Sequence, residues 1–232
     1  MFIRLQDGVK KYGQGDAQVY AMDKVRLDIE KGEICVILGP SGSGKSTLLN
    51  MLGGIDSMDS GELLVDGRKV SGFSIKELTE YRRTDVGFVF QFYNLIQDLT
   101  VMENIQVVSD IAPNPLPILS VLDSLGLQTL VHRFPTELSG GQQQRTAIAR
   151  AIIKNPKILL CDELTGALDS KASKEVLQYI EKVNETLGMT ILIITHNAAI
   201  SKIADRVIQI RDGKVISNTI NDVKVRAEDL VL

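Results

Sequence analysis

The sequence predicts an α/β fold with a mainly parallel sheet, an N-terminal antiparallel β layer and an inserted α-helical subdomain. Three features predict it: four continuous apolar runs, alternating stretches near the N-terminus, and a helix-rich segment interrupted by prolines. The composition agrees with this class. The 232 residues are 44% hydrophobic and 24% charged, which is ordinary for a globular protein with a sizeable core.

Alternating residues near the N-terminus predict the antiparallel layer. In KVRLDIE, the side chains of Val25, Leu27 and Ile29 would share one face of a strand. The stretch GELLVDGRKV is also strand-like, and its Asp66-Gly67 pair is typical of a hairpin turn. These stretches therefore belong to a layer whose strands run antiparallel.

Four other runs, EICVILG, VGFVFQ, KILLCDE and MTILIITH, are typical of parallel strands buried on both faces. Each is followed at once by residues able to do chemistry: the loop at Gly39, then Gln91, then Asp162 with Glu163, and then His196. Ligands of open α/β sheets bind beyond the carboxyl ends of the strands. We therefore expect these polar residues to meet at one edge of one sheet.

Between Gln91 and Leu138 the pattern changes to helices. The stretch NLIQDLTVMENIQVVSDI reads as a loop and a helix, APNPLP interrupts it, and ILSVLDSLGL reads as a second helix ending near Gly126. The expected organisation is one domain over 1–232, with a core and antiparallel layer at 1–90 and 139–217, a helical subdomain at 91–138 and a C-terminal tail at 218–232.

Composition also narrows the range of partners. A net charge of −3 argues against a nucleic-acid partner. The start MFIRLQDG lacks a signal peptide, and the apolar runs are shorter than the ~18–20 residues that cross a bilayer. We expect a cytoplasmic protein that reaches a membrane only through a partner. Cys35 and Cys161 lie in apolar runs, which predicts buried side chains rather than metal ligands or a disulfide.

The stretch GPSGSGKST fits the phosphate-binding pattern G-x-x-x-x-G-K-[S/T]. Its glycines let backbone N–H groups surround phosphate oxygens, and the helix that follows points its positive dipole end at them. Lys45 should reach the β- and γ-phosphates, and the Ser46 hydroxyl should bind Mg²⁺. The sequence thus predicts a P-loop NTPase core. The expected nucleotide contacts in this loop are Gly39, Pro40, Ser41, Gly42, Ser43, Gly44, Lys45, Ser46 and Thr47.

Three side chains beyond the other strands complete the predicted site. Beside a phosphate loop, Asp162 would hold Mg²⁺ through water and Glu163 would polarise the attacking water, although acids at a strand end are otherwise an ordinary solvated cap. His196 follows ILIIT next to the expected γ-phosphate, whereas His132 in LVHRF has no such neighbour and receives no role.

An aromatic side chain is needed to stack on an adenine ring. Tyr12 and Tyr20 are both available for this, and a packing role is the default for either.

The stretch ELSGGQQQR is a second region suited to anions. Ser139 is a good N-cap, Gly140 and Gly141 allow close backbone approach, and the residues that follow have helical apolar spacing. One loop already surrounds the phosphates of one nucleotide. A second is explained by a twofold, head-to-tail homodimer in which each Ser139 closes on the γ-phosphate held by its partner. That contact would supply positive potential in trans.

Together these motifs resemble the ATPase subunits of ABC transporters, over nearly the whole chain from Tyr12 to about Gly213. The resemblance implies ATP hydrolysis with Mg²⁺, in which Glu163 is the catalytic base and His196 is the switch histidine. Lys45 and Gln91 are the further catalytic residues that it implies, and Gln91 matches the glutamine that touches Mg²⁺ or the attacking water.

The same resemblance implies the remaining nucleotide contacts. Tyr12 matches the adenine-stacking aromatic, residues Leu138–Gln142 match the signature motif, and Ala167–Asp169 match the D-loop. The implied Mg²⁺ ligands are Ser46, Gln91 and Asp162. The implied ATP contacts outside the phosphate loop are Tyr12, Gln91, Ser139, Gly140, Gly141, Gln142 and Asp169.

The stretches GFVFQFYNLIQDLTVMENI and LSGGQQQRTAIARA are similar to the branch of macrolide-efflux, lipoprotein-release and bacitracin-type peptide-resistance ATPases. This implies a separate membrane permease, with the subunit peripheral on the inner face of the membrane, and export or mechanotransmission of a peptide, drug or lipoprotein. Leu164 and Gln97 depart from the prolines usual in the family and the branch.

Two alternatives compete with a transport subunit. One is a regulatory ATPase that drives a membrane signalling or cell-wall complex without transport. The other is a DNA-repair or translation-type ABC ATPase. The DNA-repair type is disfavoured because its motifs are split by long coiled coils, and no heptad run lies between Thr47 and Leu138. The translation type is disfavoured because it carries two ATPase heads in one chain, and this chain carries one.

Overall fold

The computed structural model describes residues 1–232, with the side chain of Asp16 excepted. The strands are β1 (Ile3–Tyr12), β2 (Val19–Ile29), β3 (Ile34–Leu38), β4 (Ser60–Val65), β5 (Arg68–Lys69), β6 (Val86–Val89), β7 (Ile158–Asp162), β8 (Thr190–Thr195), β9 (Arg206–Arg211) and β10 (Lys214–Ile220). The helices are α1 (Lys45–Leu52), α2 (Ile75–Thr84), α3 (Val101–Ile111), α4 (Ile118–Ser124), α5 (Gly140–Ile152) and α6 (Ser170–Leu187).

The larger sheet has six strands in the order β10-β9-β3-β8-β7-β6. The pairings from β9 to β6 are all parallel, and only β10 runs antiparallel to its neighbour. The four apolar runs are the adjacent strands β3, β8, β7 and β6, so the mainly parallel sheet predicted from the sequence is confirmed. Their carboxyl ends lie along one edge, as parallel pairing requires.

The smaller sheet is the predicted antiparallel layer, with strand order β2-β1-β4-β5. The side chains of Val25, Leu27 and Ile29 are all buried on one face of β2, as the alternation predicts. Asp66 and Gly67 both adopt left-handed backbone conformations, with φ of 50° and 74°, and form the hairpin turn between β4 and β5.

Two apolar cores lie on the opposite faces of the six-stranded sheet. In β3, Val36 packs into the core under the helices, whereas Cys35 and Ile37 pack into the core beneath the antiparallel layer. This alternation follows from the period of two in a strand. Cys35 and Cys161 are free, fully buried thiols, and burial raises the pKa of both.

The helical subdomain contains α3 and α4, separated by the proline-rich stretch as expected. The buried amide of Asn104 fixes the loop that precedes α3, because it donates hydrogen bonds to the carbonyls of Ile96, Leu99 and Thr100 at 2.9–3.0 Å. The C-terminal end of α4 is held by Arg145, whose Nη1 donates to the carbonyl of Leu125 at 3.2 Å.

Two regions contain elements that the sequence analysis did not predict. Helix α2 was not predicted, although its apolar residues Ile75, Leu78 and Tyr81 are spaced along one face; of these only Tyr81 is buried. The second is strand β10, which spans the end of the expected core at 217 and the start of the expected C-terminal tail. Asp212 and Gly213 have φ of 50° and 73° and turn β9 into β10. Strand β10 therefore crosses the expected start of the tail at residue 218, and the predicted subdomain boundaries stay predictions.

The C-terminal ends of three helices are tied together by side chains. Lys154, just after α5, donates from Nζ to the carbonyl of Arg82 in α2. The guanidinium of Arg82 in turn donates to the carbonyl of Gly54, just after α1. Burial lowers the pKa of Lys154 to about 8, and the nearby Asp85 partly opposes this shift.

A buried carboxylate joins the antiparallel layer to the core. Asp85, 6% exposed, accepts from the Arg68 guanidinium of β5 and from Thr84 Oγ1, and lies 3.5 Å from Lys157 Nζ.

In the described part of the chain, none of the helices has the length and apolar character needed to cross a membrane.

Candidate active site

The phosphate-binding loop connects the end of β3 to the start of α1. A Cβ atom added at Gly39 would lie 2.3 Å from the carbonyl oxygen of Ile210 in β9, so only glycine allows the loop to pass that strand. Gly44 immediately precedes the helix with φ of 101°, a conformation that glycine adopts without strain. This backbone path thus requires glycine at positions 39 and 44.

Lys45 opens α1 and is 6% exposed. Its Nζ donates to the carbonyl oxygens of Gly39 and Pro40, at 2.8 and 2.7 Å, which compensates the buried charge. A lysine ammonium has three N–H donors, so a third remains for an anion.

Ser46 and Asp162 bring a hydroxyl and a carboxylate together. Ser46 Oγ donates to Asp162 Oδ2 at 3.2 Å. Burial raises the pKa of Asp162, the charge of Glu163 adds to the rise, and the bond from Ser46 opposes it. Among the described residues no group of three or more His, Cys, Asp or Glu side chains could hold a metal alone. One carboxylate and one hydroxyl fit Mg²⁺ that is also bound by phosphate oxygens.

Glu163, His196 and Gln91 converge beyond the ends of β7, β8 and β6. His196 Nδ1 lies 3.2 Å from Glu163 Oε1. A Cβ added at Gly166 would lie 3.0 Å from Gln91 Nε2 and 3.2 Å from Glu163 Oε2, so these two side chains flank the same glycine. Glu163 itself has φ of 48°, which is unusual for a residue with a side chain.

A cleft of about 260 Å³ lies over the phosphate loop and is called the nucleotide cleft below. Tyr12 and Glu163 both line it. Tyr20 does not line it, and the ring of Tyr20 lies 4.7 Å from the ammonium of Lys11. Burial raises the pKa of Tyr12, and its hydrogen bond to Asp56 adds to the rise. The lining residues are Tyr12, Ala21, Ser41, Gly42, Gly44, Lys45, Ser46, Thr47 and Glu163.

The signature motif forms the N-terminal end of α5, as the N-cap reading predicts. Gln142 donates from its backbone N–H to Ser139 Oγ at 3.3 Å, and Gln142 Oε1 accepts from the Ser139 N–H at 2.8 Å. This reciprocal pair is a capping box. Ser139 is exposed and is not one of the residues that line the nucleotide cleft of its own chain.

The D-loop lies against the signature motif within the same chain. A Cβ added at Gly140 would lie 3.0 Å from the Tyr93 hydroxyl and 3.1 Å from Leu168 Cδ2, and one at Gly141 would lie 3.3 Å from Ala172 Cβ. Asp169 caps α6, accepting from the backbone N–H of Ala172 at 2.8 Å. The residues expected to contact ATP therefore fall into two groups, one around the nucleotide cleft and one at the N-terminal end of α5.

Two residues at the site were not expected from the sequence. Asp56 accepts a hydrogen bond from the Tyr12 hydroxyl, across 44 positions in the chain. Tyr93 packs on Gly140. Neither residue belongs to a spacing pattern, so the sequence carries no signal for them. Leu164, in place of the usual proline, is 2% exposed and packs in the core under the helices, and Gln97 is exposed.

The sequence profile of the ABC transporter family matches residues 22–166. An uncharacterised ABC transporter ATP-binding protein, MJ0796 of Methanocaldococcus jannaschii, is 41% identical over 231 residues, which cover 92% of this chain and 94% of the relative. A macrolide export ATP-binding/permease protein, MacB of Hyphomonas neptunium, is 43% identical over 94% of this chain.

Other relatives are longer than this chain. The match spans 66% of the putative ABC transporter ATP-binding protein MG467 of Mycoplasma genitalium and 35% of the Hyphomonas MacB. Among solved structures, the dimeric post-hydrolysis state of the ATP-binding cassette MJ0796, bound to ADP and Pi, superposes with a TM-score of 0.85 at 38% identity. That superposition covers 94% of this chain and 98% of the other.

Proposed function

The chain belongs to the ABC transporter family, and from this premise we propose that it is an ATP-binding and ATP-hydrolysing subunit that drives a separate membrane permease as a head-to-tail homodimer. One observation carries the proposal: the capped head of α5 is exposed and lies outside the nucleotide cleft of its own chain. Such a head can serve a nucleotide held by a second copy. The related MJ0796 cassette is dimeric in its solved structures.

Within the nucleotide cleft, the residues have the roles that phosphoryl transfer to water requires. Lys45 binds the β- and γ-phosphates with its remaining N–H donor. Glu163 orients the attacking water and accepts its proton, while His196 and Gln91 hold that carboxylate and water in place. Ser46 and Asp162, with Gln91, would hold Mg²⁺. When bound, Mg²⁺ neutralises charge on the phosphates.

Tyr12, which also lines the cleft, stacks on the adenine ring. Across the dimer interface, Ser139, Gly140, Gly141 and Gln142 contact the γ-phosphate of the partner's ATP, with Asp169 beside them.

We take the permease to be a separate MacB-like membrane protein. The MacB relatives are named as combined ATP-binding and permease proteins, and this chain matches about a third of their length. The cargo is a peptide, drug or lipoprotein, moved either by export or by mechanical transmission. The subunit would lie peripherally on the inner face of the membrane.

Complementation tests the shared site. Lys45→Ala damages the phosphate loop of its chain, and Ser139→Arg blocks the signature motif of the other. A mixture of the two, each inactive alone, forms dimers with one intact composite site and should recover ATPase activity. As a matched control, Lys45→Ala mixed with Glu163→Gln leaves no site intact and should stay inactive. An inactive first mixture would refute the head-to-tail dimer.

A further inference from the structure

A loop carboxylate links the aromatic side chain of the nucleotide cleft to the end of the P-loop helix. Asp56 follows α1, and its Oδ2 accepts from the Tyr12 hydroxyl at 2.7 Å. Its Oδ1 accepts from Lys10 Nζ at 2.6 Å and from the backbone N–H of Ser57 at 2.8 Å. Both carboxylate oxygens are therefore engaged, one of them by the tyrosine.

The charges around Asp56 make this link strong. Lys10 is 8% exposed, and its ammonium also donates to the carbonyl of Ser57 at 2.7 Å. Burial alone would raise the pKa of Asp56, but the hydrogen bonds from Lys10 and Tyr12 outweigh burial and lower it. The carboxylate is thus ionised at neutral pH, and hydrogen bonds to ionised groups are shorter and stronger than neutral ones.

The hydrogen bond to Asp56 adds to two other contacts of the tyrosine. Its ring lies 5.3 Å from the ammonium of Lys10, and the side chain of Thr47 is a second hydrogen-bonding neighbour. Tyr12 is the last residue of β1, is 45% exposed and is followed by Gly13 and Gly15 in left-handed conformations. A half-exposed ring at the end of a strand would otherwise sample several rotamers. With its hydroxyl bound to Asp56, the ring is held in one place in the lining of the nucleotide cleft.

We propose that Asp56 is a positioning residue for the nucleobase, because it fixes the ring of Tyr12 in the orientation that stacks on the base. This rests on the proposed ATP site. Asp56 does not touch the nucleotide itself and acts through Tyr12. Its contribution is to the base end of the ligand, and the phosphates are bound without it.

The test compares two ligands that share only the phosphate chain, ATP and inorganic tripolyphosphate, by titration calorimetry. Asp56→Asn and Tyr12→Phe should each weaken ATP binding about two- to tenfold, the effect of freeing one ordered side chain. Binding of tripolyphosphate should not change. KM for ATP should rise by the same factor while kcat stays constant. The double variant should be no weaker than the weaker single variant, because both remove the same bond.

Asp59→Asn is the matched control. This carboxylate lies in the same loop and accepts from the backbone N–H of Lys11 at 2.6 Å, without contacting the tyrosine, so ATP binding should be unchanged. Equal losses for ATP and tripolyphosphate, or additive losses in the double variant, would show that Asp56 only supports the fold.

Tyr12→Ala separates this inference from the proposed function. If it weakens ATP binding while Asp56→Asn does not, only the role of Asp56 is refuted. If it leaves ATP binding unchanged, the base does not stack on Tyr12, and the proposed roles of Tyr12 and Asp56 both fail while the proposed ATPase function stands. Lys45→Ala, which should abolish binding of both ligands, tests the phosphate site independently of either.

Discussion

The imidazole Nδ1 of His196 lies 3.2 Å from Oε1 of Glu163, across the ends of the neighbouring strands β8 and β7. The left-handed conformation of Glu163 brings its carboxylate to this position, and its backbone N–H is held by the carbonyl of Ile194 at 3.0 Å. Strained conformations of this kind persist where the surrounding structure determines them. The backbone of Glu163 thus sets the place where its carboxylate meets His196.

Replacing Glu163 by glutamine should separate binding from chemistry. The amide keeps the shape of the carboxylate but cannot accept the proton of the attacking water, so we expect kcat to fall about 10²- to 10⁴-fold. ATP should still bind, and the ATP-loaded dimer should accumulate in size-exclusion chromatography. Glu175→Gln, on the exposed face of α6, is the control and should hydrolyse ATP at the wild-type rate. Unchanged turnover in Glu163→Gln would exclude this residue as the base.

The capping box of α5 differs from two others in the chain. Helices α2 and α3 begin with Ser74–Glu77 and Thr100–Glu103 boxes, whereas α5 uses the neutral Gln142. A glutamate in place of Gln142 would preserve the cap and favour the helix dipole, but it would add negative charge where a phosphate should bind.

Gln142→Glu should therefore leave Tm unchanged or slightly raised and yet weaken ATP-dependent dimerisation. Thermal unfolding and analytical ultracentrifugation with ATP measure the two effects. The control Glu77→Gln in α2 should lower Tm slightly without affecting dimerisation. Wild-type dimerisation of Gln142→Glu would contradict an anion site at this helix.

The carboxylate of Asp162 should lower the free energy of unfolding at neutral pH, because it is partly buried. Burial raises its pKa, so the folded state binds a proton more readily than the unfolded state. The resulting cost is present above the folded pKa and disappears as the pH falls below the unfolded value. Asp162→Asn should thus raise Tm by a few degrees at pH 7 while abolishing hydrolysis, and the difference in Tm should vanish in acid. A lower Tm for the variant at pH 7 would contradict this account.

Asp85 should matter for stability but not for chemistry. Asp85→Ala leaves Arg68 and Thr84 without their buried acceptor, and we expect it to lower the free energy of unfolding by about 1–3 kcal/mol. Urea denaturation measures this loss. Asp98→Ala, at an exposed position, should change the stability by less than about 0.5 kcal/mol. Equal stability of the two variants would show that Asp85 does not join the layers.

The groups at the phosphate end of the nucleotide cleft were predictable because each is defined by neighbours in the chain. The loop at Gly39, Asp162 with Glu163 and His196 all follow buried strands, and parallel pairing then brings them to one edge. Helix α2 was not predicted, but it could have been found from the Ser74–Glu77 capping box and from the helical spacing of Ile75, Leu78 and Tyr81. Strand β10 could have been found from Asp212-Gly213, which is the same turn signal that marked the hairpin at Asp66.

Contacts between distant segments were not predictable. The Tyr12–Asp56 bond joins residues 44 positions apart, and the approach of Gly39 to Ile210 depends on the position of β9 in the sheet. Such contacts follow from tertiary packing, which a single sequence does not encode as a local pattern.

The linkage from Lys154 through Arg82 to Gly54 has a consequence for a dimer. Helix α1 would meet the ATP of its own subunit and helix α5 the ATP of the other, yet their far ends are fastened to the same turn of α2. A displacement of either helix is then transmitted to the second. The two sites should therefore bind ATP cooperatively. The rate of hydrolysis should then depend on ATP concentration with a Hill coefficient above one.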